Sequence, residues 1–419
     1  MKLQTASAVP KRNSWRGPQI QDPLVNLTVT VIWISLFLFI IYPLGRSLWT
    51  SLVVDGKFSF ANYSYVFKNA WLRKSLVNSL ELGAIVASVA TVIGFGYAYG
   101  FNRTSMPAKG FFRQLALLPM ISPPFMFALS IILLLGKNGL ITKKLLHLAD
   151  FNIYGLHGLV IVQSLSMFPI AYLVLDGVLK AINPELEDSA YNLGASRFKV
   201  FTTVTLPLAL PGIASAWLLV FVTSLADFGN PVILGGGFDV LSVQAYLQVT
   251  GMFNVSRGAT LAVLLLIPAL VAFYLQRYWL AKKSYVTLTG KPSSASLMGV
   301  TPLVRWILTA VATIISLIIL AFYGVIIYGC FVKLWGYNWT FTLEHFVYAW
   351  DVGKDSVRST TIMATVATII AGFLSMVIAF LMVRKNFLGK KAMGFVTLMG
   401  YAVPGTLVGI GYILAFNSK

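Results

Sequence analysis

Read for hydrophobic and polar positions, the chain alternates long uncharged apolar stretches with short basic loops. Nine stretches reach the length of about 20 residues that a helix needs to cross a bilayer. They lie near residues 25–45, 79–101, 114–136, 155–175, 211–233, 258–276, 306–328, 359–383 and 392–416. They are too many and too long to be core helices of a water-soluble domain. The expected fold is an all-α polytopic membrane protein of about nine transmembrane helices. Composition agrees, since 58% of the 419 residues are hydrophobic and only 11% charged, against about 25% charged in soluble domains.

Charge adds orientation. The 32 basic and 13 acidic residues give a formal +19, but the basic residues punctuate apolar spans, which speaks for topology and against a nucleic-acid partner. With the head (Lys2, Lys11, Arg12, Arg16) in the cytoplasm, 19 of the 32 basic residues collect on that side and 13 outside. The short loops Arg103 to Arg113 and Arg384 to Lys391 carry no acid at all. The head is polar for over twenty residues and no small-residue cleavage site follows the first span, so an uncleaved anchor is expected rather than a signal peptide. One cysteine, Cys330, and three scattered histidines, His147, His157 and His345, offer no disulfide, metal signature or catalytic cluster.

Laid on itself, the chain shows a duplication. FSFANYSYVF (Phe58 to Phe67) lies over FTLEHFVYAW (Phe341 to Trp350) at an offset of 283. At an offset of 281, Ser75 meets Ser356, Ala98 meets Ala379, Arg103 meets Arg384, Lys109 meets Lys390 and Pro123 meets Pro404. Chance identities are common between apolar stretches, but a near-constant offset held through loops is not. The second span falls on the eighth and the third on the ninth. An even shift preserves direction, so the repeats should be parallel about an axis along the membrane normal, and such interfaces commonly hold a transport path. The expected organisation is a cytoplasmic head at 1–24, a first repeat at 25–281, a cytoplasmic linker at 282–303 and an incomplete second repeat at 304–419 that lacks counterparts of everything beyond about residue 139.

Between the fourth and fifth spans lies a polar segment, 183–212. Asn183 can cap a helix, Pro184 suits its first position, and Glu185, Glu187 and Asp188 suit the positive end of its dipole. Leu186, Ala190 and Leu193 then share a face, and Gly194 lets the helix turn. A second short helix should carry Phe198 and Phe201 until Pro207 and Pro211 break it before the next span. The expected product is a helix, turn, helix with apolar knobs offered to the cytoplasm.

Asp188, Ser189, Ala190, Gly194, Leu206 and Pro207 resemble the coupling loop of the permease subunits of binding-protein-dependent ABC importers. That pattern is Glu-Ala-Ala, three residues, Gly, and Leu-Pro twelve residues later. Asp188 and Ser189 depart from the triplet, while the spacing to Pro207 is intact. LADFGNPVILGGGFDVLSVQAY (Leu225 to Tyr246) and QRYWLAKKSYVTLTGKP (Gln276 to Pro292) look like the fused two-half permeases of ferric-iron importers. The resemblance implies a permease of the bacterial inner membrane, with a coupling loop at Glu187, Asp188, Ser189, Ala190, Gly194, Ala195, Phe198, Leu206 and Pro207. It also implies a dimeric cytoplasmic ABC ATPase and a periplasmic substrate-binding protein as partners. In that family each half brings its own loop, so the expectation is a truncated or split permease, completed by a second permease chain or left inactive. Ferric iron is the implied cargo; a phosphorylated sugar, a phosphonate, thiamine or a polyamine are the alternatives.

No phosphate motif competes. At GKP the Walker spacing puts Tyr285 where its first Gly should be and Pro292 after the Lys, and GFGYAYG (Gly94 to Gly100) fails the dinucleotide pattern. The chain is therefore expected to hold no cofactor and to be no enzyme, with ATP and Mg on the separate ATPase. An ion-coupled secondary transporter would need protonatable residues at mid-membrane, which are scarce. Acids in hydrocarbon are costly. Asp227 and Asn230 sit where the fifth span should break, and two readings stand: they line the translocation path and offer oxygen to a hard cation, or Asp227 accepts backbone hydrogen bonds freed by the Gly-Asn-Pro break. Glu81 is a further path candidate, near a span end.

Overall fold

The computed structural model describes residues 23–417 apart from 55, 124, 149–150 and 277–300. The expected head and most of the expected linker lie outside the described residues. Helix α1 (Pro23–Ser51) takes the first apolar stretch and leads to strands β1 (Val53–Val54) and β2 (Lys57–Phe58), paired antiparallel. After α2 (Ala61–Lys68), Asn69 starts α3 (Ala70–Arg103) by accepting the N–H groups of Trp71 and Leu72.

The third apolar stretch is not one helix. The chain forms α4 (Lys109–Leu117) and α5 (Met126–Leu135), with a tight turn at Leu118–Met120 between them. Pro119 and Pro123 lie in the break and have no N–H to donate to a continuing helix. Helix α6 (Leu156–Ala181) returns across the bundle, followed by α7 (Pro184–Asn192) and α8 (Arg197–Ala226). Here the expectation that Pro207 and Pro211 break the chain fails, because α8 runs through both. A wide turn at Phe201–Thr205, closed by the Leu206 N–H on the Phe201 carbonyl, immediately precedes Pro207 and accommodates its missing donor. The fifth span therefore starts well before residue 211 and stops at Ala226, and α9 (Gly229–Leu234) is a separate short helix. Helices α10 (Leu241–Thr250) and α11 (Val255–Tyr274) complete this half.

The same order then recurs. Helix α12 (Pro302–Cys330), the hairpin β3 (Val332–Leu334) and β4 (Asn338–Phe341), and α13 (Glu344–Arg384) are followed by α14 (Lys390–Ala402) and α15 (Gly405–Phe416). The stretch 392–416 is also broken, its parts meeting at 106° beside Pro404, the partner of Pro123 in the duplication. Among the described residues, eight helices are long and apolar enough to cross a membrane, nine if that bent pair is one span. Each basic loop closes its long helix alike: the Lys109 ammonium donates to the Phe101 carbonyl and the Lys390 ammonium to that of Lys385, at 2.9 and 2.7 Å.

The halves grip each other reciprocally. Helix α12 packs on α3 and α5, where Tyr97 donates to the Ala312 carbonyl and Ser130 to that of Phe322. Helix α1 packs on α15, where Arg46 donates to the Leu414 carbonyl and Tyr412 to that of Phe39. Each first helix thus lies against the other half's broken pair. Helix α13, by contrast, buries only Ile378 and Leu381, while its counterpart α3 is covered by α6 and α8.

That cover depends on close approach. A Cβ on Gly94 of α3 would lie 2.7 Å from the Tyr172 backbone nitrogen and 2.9 Å from the Ala171 Cβ of α6, whereas one on Gly96 would meet only a Leu308 methyl at 3.8 Å. Neither backbone can yield without moving a helix. Gly94→Ala should therefore destabilise the protein by about 2 kcal/mol despite the better helix propensity of Ala. Gly96→Ala should be neutral or slightly stabilising. The thermal midpoints of the two variants in detergent check the pair, and equal midpoints would dismiss the α3–α6 contact as a constraint.

Candidate functional site

The polar segment folds as its caps dictate. The Asn183 side chain accepts the Glu185 N–H at 3.0 Å and starts α7. At the other end the Gly194 and Ala195 N–H groups close on the Tyr191 and Ala190 carbonyls, with Gly194 at φ +81°. Two backbone bonds closed around a left-handed glycine form a Schellman stop. Ser196 caps the start of α8 by accepting the Lys199 N–H. The turn between these caps throws Leu193 and Phe198 outward, 88% and 77% exposed. Phe201 points the other way, its ring 5.4 Å from that of Tyr99 in α3. Ser189, Gly194 and Pro207 are exposed, and Asp188, Ala190, Ala195 and Leu206 are half-buried. Burial, with Glu187 beside it, pushes the Tyr191 hydroxyl above its ordinary range, so it stays neutral at physiological pH.

Glu187 departs from the exposed set. Its carboxylate faces inward, pairs with the Arg103 guanidinium at 3.0 Å and accepts the Thr205 hydroxyl at 2.8 Å. Sequence reading placed Glu187 in the loop but missed Arg103 and Thr205 as its partners.

A second feature lies at the far end of α8. A cavity of about 950 Å³ is lined from the first break by Pro119, Ser122 and Pro123, from α6 by Ser166 and Met167, and from the second half by Gly405 and Thr406. Asp227 and Asn230 line it as well. Both breaks of the duplication therefore open on one space. Glu81 does not join them: it sits on the exposed face of α3, outside the lining.

Asp227 ends α8 and is enclosed by donors. Its Oδ2 accepts Gln163 Nε2 at 2.7 Å and Asn230 Nδ2 at 2.8 Å, its Oδ1 accepts the Asn230 N–H at 3.3 Å, and its own carbonyl accepts Ser242. Gln163 is oriented in turn by Ser224, which donates to its Oε1 at 2.6 Å. The expected backbone bond at the Gly-Asn-Pro break is thus present, and the carboxylate also lines the cavity. Asn230, 2% exposed, keeps a side-chain oxygen with no hydrogen-bond partner. Gln163 and Ser224 escaped notice because polar uncharged residues inside a span carry no signal of their own.

The family model for binding-protein-dependent transport system inner membrane components matches residues 90–285. The ferric transport system permease protein FbpB of Actinobacillus pleuropneumoniae is 34% identical over 407 residues, which cover 94% of this chain and 59% of that protein. A Haemophilus influenzae protein provisionally named ferric transport system permease FbpB 1 is 33% identical over 408 residues, covering 95% and 64%. The chain thus spans about three fifths of the length of these curated relatives. The molybdenum transport system permease ModB of Escherichia coli is 25% identical over 216 residues, 50% of this chain and 94% of ModB. Among solved structures, a chain of a bacterial alginate ABC transporter, crystallised with its pentasaccharide-bound periplasmic protein, shares the fold at a TM-score of 0.50 and 19% identity, covering 63% of this chain and 96% of that one. Over residues 90–285 the chain is thus similar to the inner-membrane components of binding-protein-dependent transport systems, and that stretch holds the capped segment and the first of the paired breaks.

Proposed function

We propose that the chain is the permease part of an ATP-driven importer, taking cargo from a periplasmic binding protein and passing it through the cavity between the two halves. The names of its ferric-transport relatives make ferric iron the cargo. ATP and Mg belong to a separate cytoplasmic ABC ATPase dimer, which grips α7 and the start of α8. The N-terminus is then cytoplasmic, on the side of α7. The segments 25–281 and 304–419 act as two parallel repeats.

The observation that carries this reading is the exposure of Leu193 and Phe198 on a rigidly capped turn. Apolar side chains held out at a fixed angle cost solvation unless a partner covers them. The test is co-purification of the chain with its candidate ATPase in detergent. The wild type should retain the ATPase. Asp188→Arg reverses the charge at the triplet, and Gly194→Pro demands a φ near −65° where the chain needs +81°. Both should lose it, and retention by both would sink the docking reading.

A further inference from the structure

Four helices meet at one buried ion pair on the α7 side of the bundle. Arg103 is the last residue of α3. Its Nε lies 3.0 Å from Glu187 Oε2, and its Nη2 donates to the Leu179 and Ile182 carbonyls at 3.0 and 3.4 Å. Those carbonyls end α6, so the guanidinium pairs with α7 and caps α6 at once. Glu187 passes the connection on to Thr205 in the wide turn of α8. The two side chains are only 10% and 12% exposed.

Among the described residues, Glu187 makes every side-chain hydrogen bond that α7 sends to the bundle. The bonds of Asn183, Glu185 and Ser189 stay within the segment itself. Helices α6 and α8 also line the cavity, α6 at mid-length from Ser166 to Ile170 and α8 at its other end from Thr223 to Ala226. From Thr205 to Thr223 is about 27 Å of helix at 1.5 Å per residue. Beside the packing of α7 on the start of α8, the polar link from α7 toward that distance runs through one pair of side chains.

We propose that the Arg103–Glu187 pair is the joint through which movement of α7 tilts α3, α6 and α8 and so changes the cavity. Both are positioning residues and neither is a contact of the ATPase. A buried ion pair suits a joint because the planar guanidinium, held by the carboxylate through Nε and by the α6 carbonyls through Nη2, fixes direction, whereas apolar packing would hold the helix without fixing its angle. The duplication places Arg384 at the end of α13 in the same way, exposed and with no carboxylate on it among the described residues. The inference rests on α7 being the ATPase-docking helix.

The experiment uses the full chain with its ATPase, in a Cys330→Ser background carrying Ser166→Cys as a reporter in the cavity. The rate of maleimide labelling is measured with and without MgATP. In the wild-type pair the nucleotide should change that rate by about tenfold, the usual range of coupling between distant sites. In Arg103→Gln and in Glu187→Gln the ATPase should still co-purify and hydrolyse ATP, while the change falls to less than about twofold. Arg103→Met with Glu187→Met removes the pair without leaving a lone buried charge. It should fold, hold the ATPase and be equally uncoupled. An undiminished labelling response in that double variant, or loss of the ATPase from folded single variants, overturns the joint. Failure of the wild-type pair to bind any ATPase overturns the docking reading instead, and the two failures cannot be confused.

Discussion

Phe198→Asp should weaken the binding of the ATPase by about 30-fold or more, because an aromatic anchor at the centre of an interface contributes at least about 2 kcal/mol. The stability of the permease itself should not change. Phe198 is exposed in the chain, so nothing of its own fold is lost when the ring is removed, and substitutions away from packed features usually stay within about 0.5 kcal/mol. A carboxylate at that position also has to enter the pocket that the ring would fill, which adds a desolvation cost to the lost contact. Leu193→Asp should act in the same direction. The two should be less than additive if one pocket takes both knobs. Titration of the solubilised permease with the ATPase, alongside the thermal midpoint, separates the effects. An unchanged affinity with an unchanged midpoint would mean that the turn at Gly194 faces lipid headgroups, where exposed apolar side chains also find cover.

Much of this was legible because the bilayer imposes a length. An uncharged stretch of about 20 residues has few alternatives, and each expected span falls on helix, in one piece or, at 114–136, 211–233 and 392–416, in two. The ends were not legible, since helices run on into water where charge reads as loop. Helix α13 begins at Glu344, passes Asp351, Lys354, Asp355 and Arg358, and extends for 41 residues. Prolines misled in both directions. Pro119 and Pro404 interrupt helices that apolar length had joined, while Pro207 and Pro211 are carried inside α8 by a wide turn that no sequence pattern announces. The caps Asn183 and Gly194 were readable because their chemistry is local. Partnerships were not, because Arg103 lies 84 residues from Glu187 and Gln163 lies 64 from Asp227. Taken alone, Arg103 is a topology charge and Gln163 merely a polar residue in a span.

Asp227→Ala should destabilise the protein by about 3 kcal/mol, since it strands the Gln163 and Asn230 amides without their acceptor, and uptake should fall with it. Asp227→Asn discriminates between the two roles open to this residue. Its one remaining oxygen can take the Oδ2 place, where both short bonds of 2.7 and 2.8 Å converge. Only the longer bond from the Asn230 N–H, 3.3 Å, is then given up. If Asp227 holds the bend at the end of α8, the Asn variant keeps most of its thermal midpoint and its uptake follows. That is the expected result, because a carboxylate already surrounded by N–H donors has little affinity left for a passing cation, whose ligands would have to be free oxygens. A folded Asn variant with abolished uptake would reverse the assignment. Asp227 would then meet the cargo, and the unpartnered oxygen of Asn230 would be the next group to test on the path.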